Sequence, residues 1–314
     1  MTYMKIVLLD AATLGEIVSL NKLNTFGDFI AYGNTMPEEV VGRIESAEVI
    51  ITNKVKINKE IMDESPFLKL ICVAATGMNN IDLEYAQFKG ILVKNVSGYS
   101  TQSVAQQTFA MLLTITNHVN YYYNYVQKGY YSKGNIFTHV DNPIYELKDK
   151  VLGIIGLGQI GRSVASIAEA FGMKVIYASI SGIVREEKFE KVSFMELLKM
   201  SDVISIHAPL TEQTTQLIQF KEMQLMKPSA ILLNLGRGNV VHELDLVKAL
   251  NENILFAAAL DVFENEPISK NSPLLTIENP EKLLLTPHVA WSSGEAREKL
   301  MEGIINNIKL FINS

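Results

Sequence analysis

Three ionisable side chains in the second half of the chain have the chemistry of an acid/base site. Arg237, Glu266 and His288 each follow a short apolar run that predicts a buried strand. Ligands of open α/β sheets bind beyond the carboxyl ends of the strands, so we expect the three to converge there. A guanidinium clamps a carboxylate and polarises the adjacent carbonyl, a histidine protonates that oxygen, and a carboxylate orients the histidine. Each alone is more often a surface charge, a turn residue or a capping histidine.

A glycine-rich turn precedes these residues in the chain. Gly156, Gly158 and Gly161 form the pattern Gly-x-Gly-x-x-Gly, between an apolar run at 151–155 and a predicted helix at 163–171. In such a turn the first glycine permits the tight bend, the second lets the backbone approach a pyrophosphate, and the third lets helix and strand pack closely. The helix start offers free N–H groups to the phosphates. We therefore predict a dinucleotide-binding turn, with a purely structural tight turn as the alternative.

The acidic residue that normally binds the adenosine ribose of NAD is missing. It is expected at the end of the next strand, where this chain has Ser179. The nearest charged residues are Arg185, Glu186, Glu187 and Lys188. A serine does not repel a 2′-phosphate, and Arg185 or Lys188 could reach one. The cofactor is therefore NAD or NADP, with NAD as our first choice.

Composition excludes several classes of protein. The 28 lysines and arginines against 34 acidic residues give a net charge of −6, which argues against a nucleic-acid or anionic-membrane surface. No apolar run reaches the roughly 18 residues of a membrane helix, and we expect a cytoplasmic protein. The single cysteine, Cys72, lies among apolar neighbours and is predicted to be a buried thiol. No residue spacing suggests a metal site.

The elements that must position these residues alternate between strand and helix. In the first third the predicted strands are residues 4–9, 49–51, 70–74 and 91–93. After Lys150 they are residues 151–155, 174–177, 203–207, 230–234, 255–260 and 283–285. A small, polar break at 97–100 separates the two series, and a closing helix is predicted at 297–312. This alternation predicts an α/β protein with two doubly wound parallel sheets.

One segment does not follow this alternation. Apolar residues at helical spacing predict a single helix from Ser103 to about Tyr125. A tyrosine-rich segment from Tyr121 to Tyr145 overlaps its end. This segment is either an irregular loop packed on the helix or an arm that covers a second subunit, since tyrosine suits partly wet interfaces.

Taken in order, the motifs resemble those of a known family. The chain resembles the D-isomer-specific 2-hydroxyacid dehydrogenases at Gly156 to Gly161, Asn234 to Gly238, Leu260 to Pro267 and Thr286 to His288. It is most similar to the glycerate dehydrogenase/hydroxypyruvate reductase branch at Ala74 to Gly77, Gly98 to Gln106 and His288 to Trp291. The resemblance covers essentially the whole chain. It implies an NAD(P)-dependent oxidoreductase that interconverts hydroxypyruvate and D-glycerate, or glyoxylate and glycolate.

The resemblance also implies roles for individual residues. The catalytic triad would be Arg237, Glu266 and His288. The substrate would contact Arg237, the backbone N–H groups around Ala75, Thr76 and Gly77, and Trp291, unless Trp291 packs between domains instead. The glycine turn and the resemblance together predict these cofactor-binding residues: Thr101, Gly156, Gly158, Gln159, Ile160, Gly161, Ser179, His207, Pro209, Leu235, Gly236, Asp261 and His288.

The family fold implies a Rossmann cofactor domain inserted into a flavodoxin-like substrate domain. The first would span residues 99–289, and the second residues 1–98 with 290–314. A cleft between them would close on the substrate and exclude water. Family members are commonly homodimers, which favours the arm interpretation of Tyr121 to Tyr145. Two alternative functions stay open: an NAD(H)-sensing protein of corepressor type, and a phosphoglycerate dehydrogenase.

Overall fold

The computed structural model describes residues 4–15, 20–180 and 186–313 of the 314-residue chain. Two compact units divide it: a terminal unit of residues 1–100 and 292–314, and a central unit of residues 101–291. The sequence placed the breaks at residues 98 and 290. Both units are parallel α/β structures, so the predicted fold class is confirmed.

The secondary structure of the described residues alternates strand and helix. The strands are β1 (Met4–Leu8), β2 (Gly27–Ala31), β3 (Val49–Thr52), β4 (Leu70–Val73), β5 (Leu92–Lys94), β6 (Val151–Ile155), β7 (Lys174–Ala178), β8 (Glu190–Lys191), β9 (Val203–Ile206), β10 (Ile231–Asn234), β11 (Ala257–Leu260) and β12 (Leu283–Leu285). The helices are α1 (Val40–Ile44), α2 (Lys59–Asp63), α3 (Leu83–Phe88), α4 (Thr101–Thr116), α5 (Val119–Gln127), α6 (Gln159–Ala170), α7 (Phe194–Met200), α8 (Phe220–Met223), α9 (Glu243–Asn251) and α10 (Gly294–Ile312). Within these ranges, no helix combines the length and the apolar composition that crossing a membrane requires. The cytoplasmic location stays a prediction.

The terminal unit is built on a five-stranded sheet in the order β2-β1-β3-β4-β5, with every pair parallel. All residues of β3 and β4 are buried. Strands covered by helices on both faces consist of continuous apolar runs, which is why the sequence revealed them. Cys72 in β4 is fully buried as predicted, and burial raises the pKa of its thiol to about 12.

The central unit is built on a seven-stranded parallel sheet in the order β12-β11-β10-β9-β6-β7-β8. The chain runs outward from β6 to β8, then returns to β9 and runs outward to β12. The strand order therefore reverses between β6 and β9. In doubly wound sheets such a reversal opens a crevice at the carboxyl ends of the strands, where ligands bind.

Sequence analysis missed two edge strands. β2 begins with Gly27 and Asp28, and no residue of it after Gly27 is buried, so its short apolar run at residues 29–31 was not recognised as a strand. A Cβ on Gly27 would lie 1.9 Å from the carbonyl oxygen of Met4, so only glycine permits this pairing with β1. β8 has only two residues, both charged and exposed. Edge strands are often short and polar, and hydrophobic patterning detects them only where they keep an apolar run, as β5 and β12 do.

The single helix predicted from Ser103 to Tyr125 is wrong. α4 ends at Thr116, and His118 adopts a left-handed backbone conformation (φ +48°) before α5 begins. The break contains neither glycine nor proline. Its one helix-stop signal is Asn117, directly after α4, and the prediction did not use it.

We expect Leu232→Ala to lower the free energy of unfolding of the central unit by about 2–5 kcal/mol, because it opens a cavity beneath the fully buried β10. Leu244→Ala removes the same atoms from a side chain on α9 that is 61% exposed. It should change the free energy of unfolding by less than about 0.5 kcal/mol. Urea denaturation followed by the fluorescence of Trp291, which packs against the central-unit core, measures both. Equal losses would contradict the buried position of β10.

Candidate active site

A histidine–carboxylate pair lies at the carboxyl edge of the central sheet. His288 follows β12, and Glu266 follows β11. His288 Nδ1 lies 2.7 Å from Glu266 Oε2, while the other carboxylate oxygen accepts a hydrogen bond from the backbone N–H of Phe263 at 3.1 Å. A carboxylate only accepts hydrogen bonds, so Nδ1 carries the proton in this pair. The pairing orients the ring and makes Nε2 the nitrogen available for proton exchange.

Asp261 holds the loop that carries His288. Its buried carboxylate accepts hydrogen bonds from Thr286 Oγ1 (2.5 Å), Val289 N (3.0 Å) and Ala290 N (2.9 Å). Burial raises the pKa of this carboxyl group, although the three hydrogen bonds oppose the shift. These contacts flank His288, whose backbone adopts the left-handed region (φ +52°) that non-glycine residues seldom occupy. The surrounding hydrogen bonds stabilise that conformation.

The loop carrying Arg237 is held by a residue to which sequence analysis assigned no role. Asn234, fully buried at the end of β10, accepts a hydrogen bond from Gly236 N at 3.1 Å and donates one to the Arg237 carbonyl at 2.9 Å. The guanidinium donates to the Gly236 carbonyl at 2.8 Å. Arg237 therefore leaves the sheet edge in a fixed, tight turn.

The Arg237 loop packs directly on the segment that leads to Glu266. A Cβ on Gly238 would lie 1.9 Å from the backbone C and O atoms of Phe263, so no other residue fits there. Two more acidic residues brace this contact. Glu243 accepts from Glu264 N at 2.8 Å, and Glu264 accepts from Glu243 N at 3.0 Å. Neither role was predicted from the sequence. An acidic residue at a helix start, as Glu243 is, gives no sign that it is buried, and Glu264 lies in the loop after β11.

The glycine turn borders a cavity of about 370 Å³ in the central unit. Gly156 has φ +94°, and a Cβ there would lie 2.8 Å from Ala208 N. A Cβ on Gly161 would lie 2.5 Å from the Gly156 carbonyl oxygen, which explains the close packing of α6 on the turn. Around Gly158, in contrast, a Cβ would meet no atom within 4 Å. The backbone is thus open to a ligand at the position where a pyrophosphate must approach.

The start of α6 fits the same ligand. The helix begins at Gln159, four residues before the predicted start, because the glycine turn itself forms the first helical turn. No described side chain caps it at Gly158. The N–H groups and the positive end of the helix dipole therefore suit a phosphate group. The described residues fit a dinucleotide cofactor.

The cavity contains five of the predicted cofactor-binding residues: Gly156, Gly158, Ser179, His207 and Pro209. The others lie outside this lining, where α4 and α6 begin or where β10, β11 and β12 end: Thr101, Gln159, Ile160, Gly161, Leu235, Gly236, Asp261 and His288. Sequence analysis did not assign the remaining lining residues: Leu157, Tyr177, Ile180, Glu187, Ala208, Thr211, Gln213 and Thr214. Of the two cations considered for a 2′-phosphate, Lys188 pairs with Glu169 at 2.6 Å, and Arg185 lies outside the described residues.

His207 brings a neutral ring to this cavity. Its Nε2 lies 2.8 Å from Ser205 Oγ, and its buried Nδ1 has no hydrogen-bond partner among the described residues. Desolvation lowers the pKa of His207 to about 4. The ring is therefore uncharged at neutral pH and offers hydrogen bonds rather than a positive charge.

The predicted substrate loop belongs to the terminal unit. Ala75, Thr76 and Gly77 follow β4. Their backbone is braced by Asn95, whose amide donates to the Thr76 carbonyl at 2.6 Å, and by Val96 N, which donates to the Ala75 carbonyl at 3.2 Å. Trp291 packs against the core of the central unit. The substrate contacts of these four residues stay predictions.

Known proteins are similar to this chain over almost its full length. The profile of the D-isomer specific 2-hydroxyacid dehydrogenase NAD binding domain matches residues 109–290. A hydroxypyruvate reductase of Blautia hydrogenotrophica is 38% identical over 316 residues, covering 98% of this chain and 97% of the relative. A glycerate dehydrogenase of Methylorubrum extorquens is 36% identical over 312 residues, with 98% and 96% covered. A glyoxylate reductase of Thermococcus litoralis is 40% identical over 280 residues, with 87% and 82% covered.

Solved structures share the fold. An acyclic imino acid reductase in complex with NADPH and D-Arg has a TM-score of 0.87 and 34% identity, covering 99% of this chain and 97% of that one. A D-lactate dehydrogenase from Aquifex aeolicus, complexed with NAD and lactic acid, has a TM-score of 0.84 and 29% identity, with 98% and 95% covered. Both nicotinamide cofactors thus occur in proteins of this fold.

The pKa of His207 predicts how stability depends on pH. Between pH 6.5 and about 4 the unfolded chain binds a proton at this residue that the folded chain does not, so its contribution to stability is lost as pH falls. We expect the wild type to lose about 2 kcal/mol more than His207→Asn between pH 7 and pH 5. Urea unfolding without cofactor measures this. An NMR titration of His207 near pH 6.5 in the folded protein would contradict it.

Proposed function

The chain belongs to the D-isomer-specific 2-hydroxyacid dehydrogenase family, and we propose that it reduces hydroxypyruvate or glyoxylate to D-glycerate or glycolate with a nicotinamide cofactor. The observation that carries this proposal is the 2.7 Å pair of His288 and Glu266, at the same sheet edge as the glycine turn. The names of the hydroxypyruvate reductase, glycerate dehydrogenase and glyoxylate reductase relatives support this choice of substrate. They favour catalysis over the corepressor and phosphoglycerate dehydrogenase alternatives.

Each catalytic side chain performs one part of the reduction. When bound, a nicotinamide cofactor would supply a hydride to carbon 2 of the substrate. Arg237 binds the substrate carboxylate and polarises the neighbouring carbonyl. In the reduction His288 donates a proton from Nε2 to the carbonyl oxygen and keeps its Nδ1 proton toward Glu266, which stabilises the ring in the required orientation. One hydride and one proton thus convert the ketone or aldehyde to an alcohol, and the same residues serve the reverse reaction.

Backbone groups bind the two anions of the reaction. The N–H groups of the glycine turn and of the first turn of α6 would hold the pyrophosphate of the cofactor. Those around Ala75, Thr76 and Gly77 would hold the substrate carboxylate. In an acidic chain, such local donors rather than the net charge attract anionic ligands.

We expect His288→Gln to lower kcat for glyoxylate or hydroxypyruvate by about 10²–10⁴-fold, because glutamine cannot supply the proton. The dissociation constant for the reduced cofactor should change less than about threefold, as measured by isothermal titration calorimetry. His242→Gln is the matched control, since His242, at the start of α9, does not belong to the described pair, and it should keep wild-type turnover.

The wild-type comparison uses NADH and NADPH with glyoxylate, hydroxypyruvate, pyruvate and 2-oxoisocaproate. A further reaction combines pyruvate with an amine, because a structural relative reduces imino acids. Cofactor binding without reduction of any 2-oxo acid would refute the proposal and favour the sensing protein. Equal activity of the two histidine variants would refute the role of His288.

We further propose that the chain forms a homodimer through its arm, the segment from Tyr121 to Tyr145. Several apolar side chains of the arm are exposed: Val119 at its base, Tyr123, Val126, Tyr130, Tyr131, Ile136, Phe137, Val140, Ile144 and Tyr145. Contiguous exposed apolar surface of this kind is typical of protein interfaces.

The arm has its own internal order. Tyr125 stacks on His139 at a ring-centroid distance of 3.8 Å, and the Tyr121 hydroxyl lies 2.8 Å from His139 Nε2. Tyr122 donates to the Asn142 carbonyl at 2.5 Å. These three tyrosines stabilise the arm itself, and the side chains left for a partner include Ile136 and Phe137.

We expect the wild type to have about twice the 35.0 kDa mass of one chain in multi-angle light scattering. The double variant Ile136→Ser/Phe137→Ser should raise the dissociation constant of the dimer by about tenfold to a hundredfold, because two large apolar side chains lose their burial. Phe88→Ser is the matched control, since Phe88 is 79% exposed in the terminal unit, comparable with 89% for Phe137. A monomeric wild type, or dissociation only in the control, would refute this interface.

A further inference from the structure

A carboxylate lines the dinucleotide cavity even though the end of β7 lacks one. Glu187 borders the same cavity as Gly158 and Ser179, and only 10% of its side chain is exposed. It lies eight positions beyond Ser179, in the segment that leads to β8. Glu187 therefore supplies the cavity with the negative charge that is missing at Ser179, from a different place in the sequence.

Arg162 holds this carboxylate in place. It lies on the first turn of α6, four residues after Gly158. Its Nε donates to Glu187 Oε2 at 3.1 Å, and its Nη2 donates to Oε1, so the guanidinium binds both carboxylate oxygens. This pair raises the pKa of Arg162. A two-point contact fixes the carboxylate more firmly than a single hydrogen bond does.

The charges around the cavity favour a ribose hydroxyl over a phosphate. Among the described lining residues, Glu187 is the one with a formal charge, since burial keeps His207 neutral. Lys188 pairs with Glu169 instead. A 2′-phosphate would face the carboxylate, and moving Arg162 to that phosphate would break its two-point contact with Glu187.

We propose that Glu187, positioned by Arg162, binds the adenosine ribose hydroxyls and makes the enzyme selective for NAD over NADP. Glu187 thereby takes the part usually played by an acidic residue at the end of the second strand. The inference rests on the cofactor site of the proposed function, but not on its substrate.

The test compares NADH and NADPH binding by isothermal titration calorimetry. The wild type should bind NADH at least about tenfold more tightly. In Glu187→Gln the ratio of the two affinities should fall by about tenfold to a hundredfold, the range for loss of a charge-assisted hydrogen bond and of charge repulsion. Glu186→Gln is the matched control, because it removes the same charge from the exposed neighbour, and its ratio should stay within about twofold.

Arg162→Gln tests the positioning role. If Arg162 only holds Glu187, Arg162→Gln binds NADH more weakly than the wild type does. In that case the arginine gives the wild type no advantage in binding NADPH. If the wild type prefers NADPH and Arg162→Gln abolishes that preference, Arg162 is itself a phosphate-binding residue and the proposal is overturned. Equal ratios in Glu187→Gln and Glu186→Gln overturn it as well. Binding needs no turnover, so a protein inactive toward every 2-oxo acid would still answer the question.

Discussion

The geometry of the acid/base pair depends on one buried carboxylate, that of Asp261. It joins the end of β11 to the loop after β12 through three hydrogen bonds, and that loop contains His288. Asp261 and Glu266 lie on the same short segment, so the element that fixes the histidine backbone also carries its carboxylate partner. Burying a charge is costly unless hydrogen bonds satisfy it. Asp261 is therefore best understood as the residue that positions the loop carrying His288.

Electrostatics in the central unit is arranged locally. The chain is acidic overall, yet the cofactor and the 2-oxo acid are both anions. Backbone N–H groups, the start of α6 and the guanidinium of Arg237 offer positive potential at separate points. Glu187, which carries the formal charge among the described lining residues of the cavity, forms an ion pair with Arg162. Groups that attract anions, such as the N–H groups at the start of α6, can thus lie a few residues from a group that discriminates between anions, such as Glu187.

The fold was predictable where burial imposes a pattern. Strands such as β3, β4 and β10 are fully buried and almost entirely apolar because both faces of each sheet are covered. β2 and β8 escaped prediction because β2 is only partly buried and β8 consists of two charged residues. The break at His118 also escaped, because its left-handed residue is neither glycine nor asparagine, and the apolar spacing continues across it. Patterns in sequence record burial, whereas edges and breaks depend on tertiary contacts.

The same distinction applies to the site. Glu266 and His288 were predictable as a pair, because each follows a strand and strand ends share one edge of a parallel sheet. Asn234 was not, since an amide at a strand end has no unique role until the turn beyond it is known. Glu187 illustrates the point most clearly. Its distance from Ser179 in sequence says nothing about its place in the cavity, which depends on the path of the loop and on Arg162. A missing motif residue therefore does not imply a missing function, because a carboxylate is defined chemically by its position relative to the ribose, whichever strand or loop supplies it.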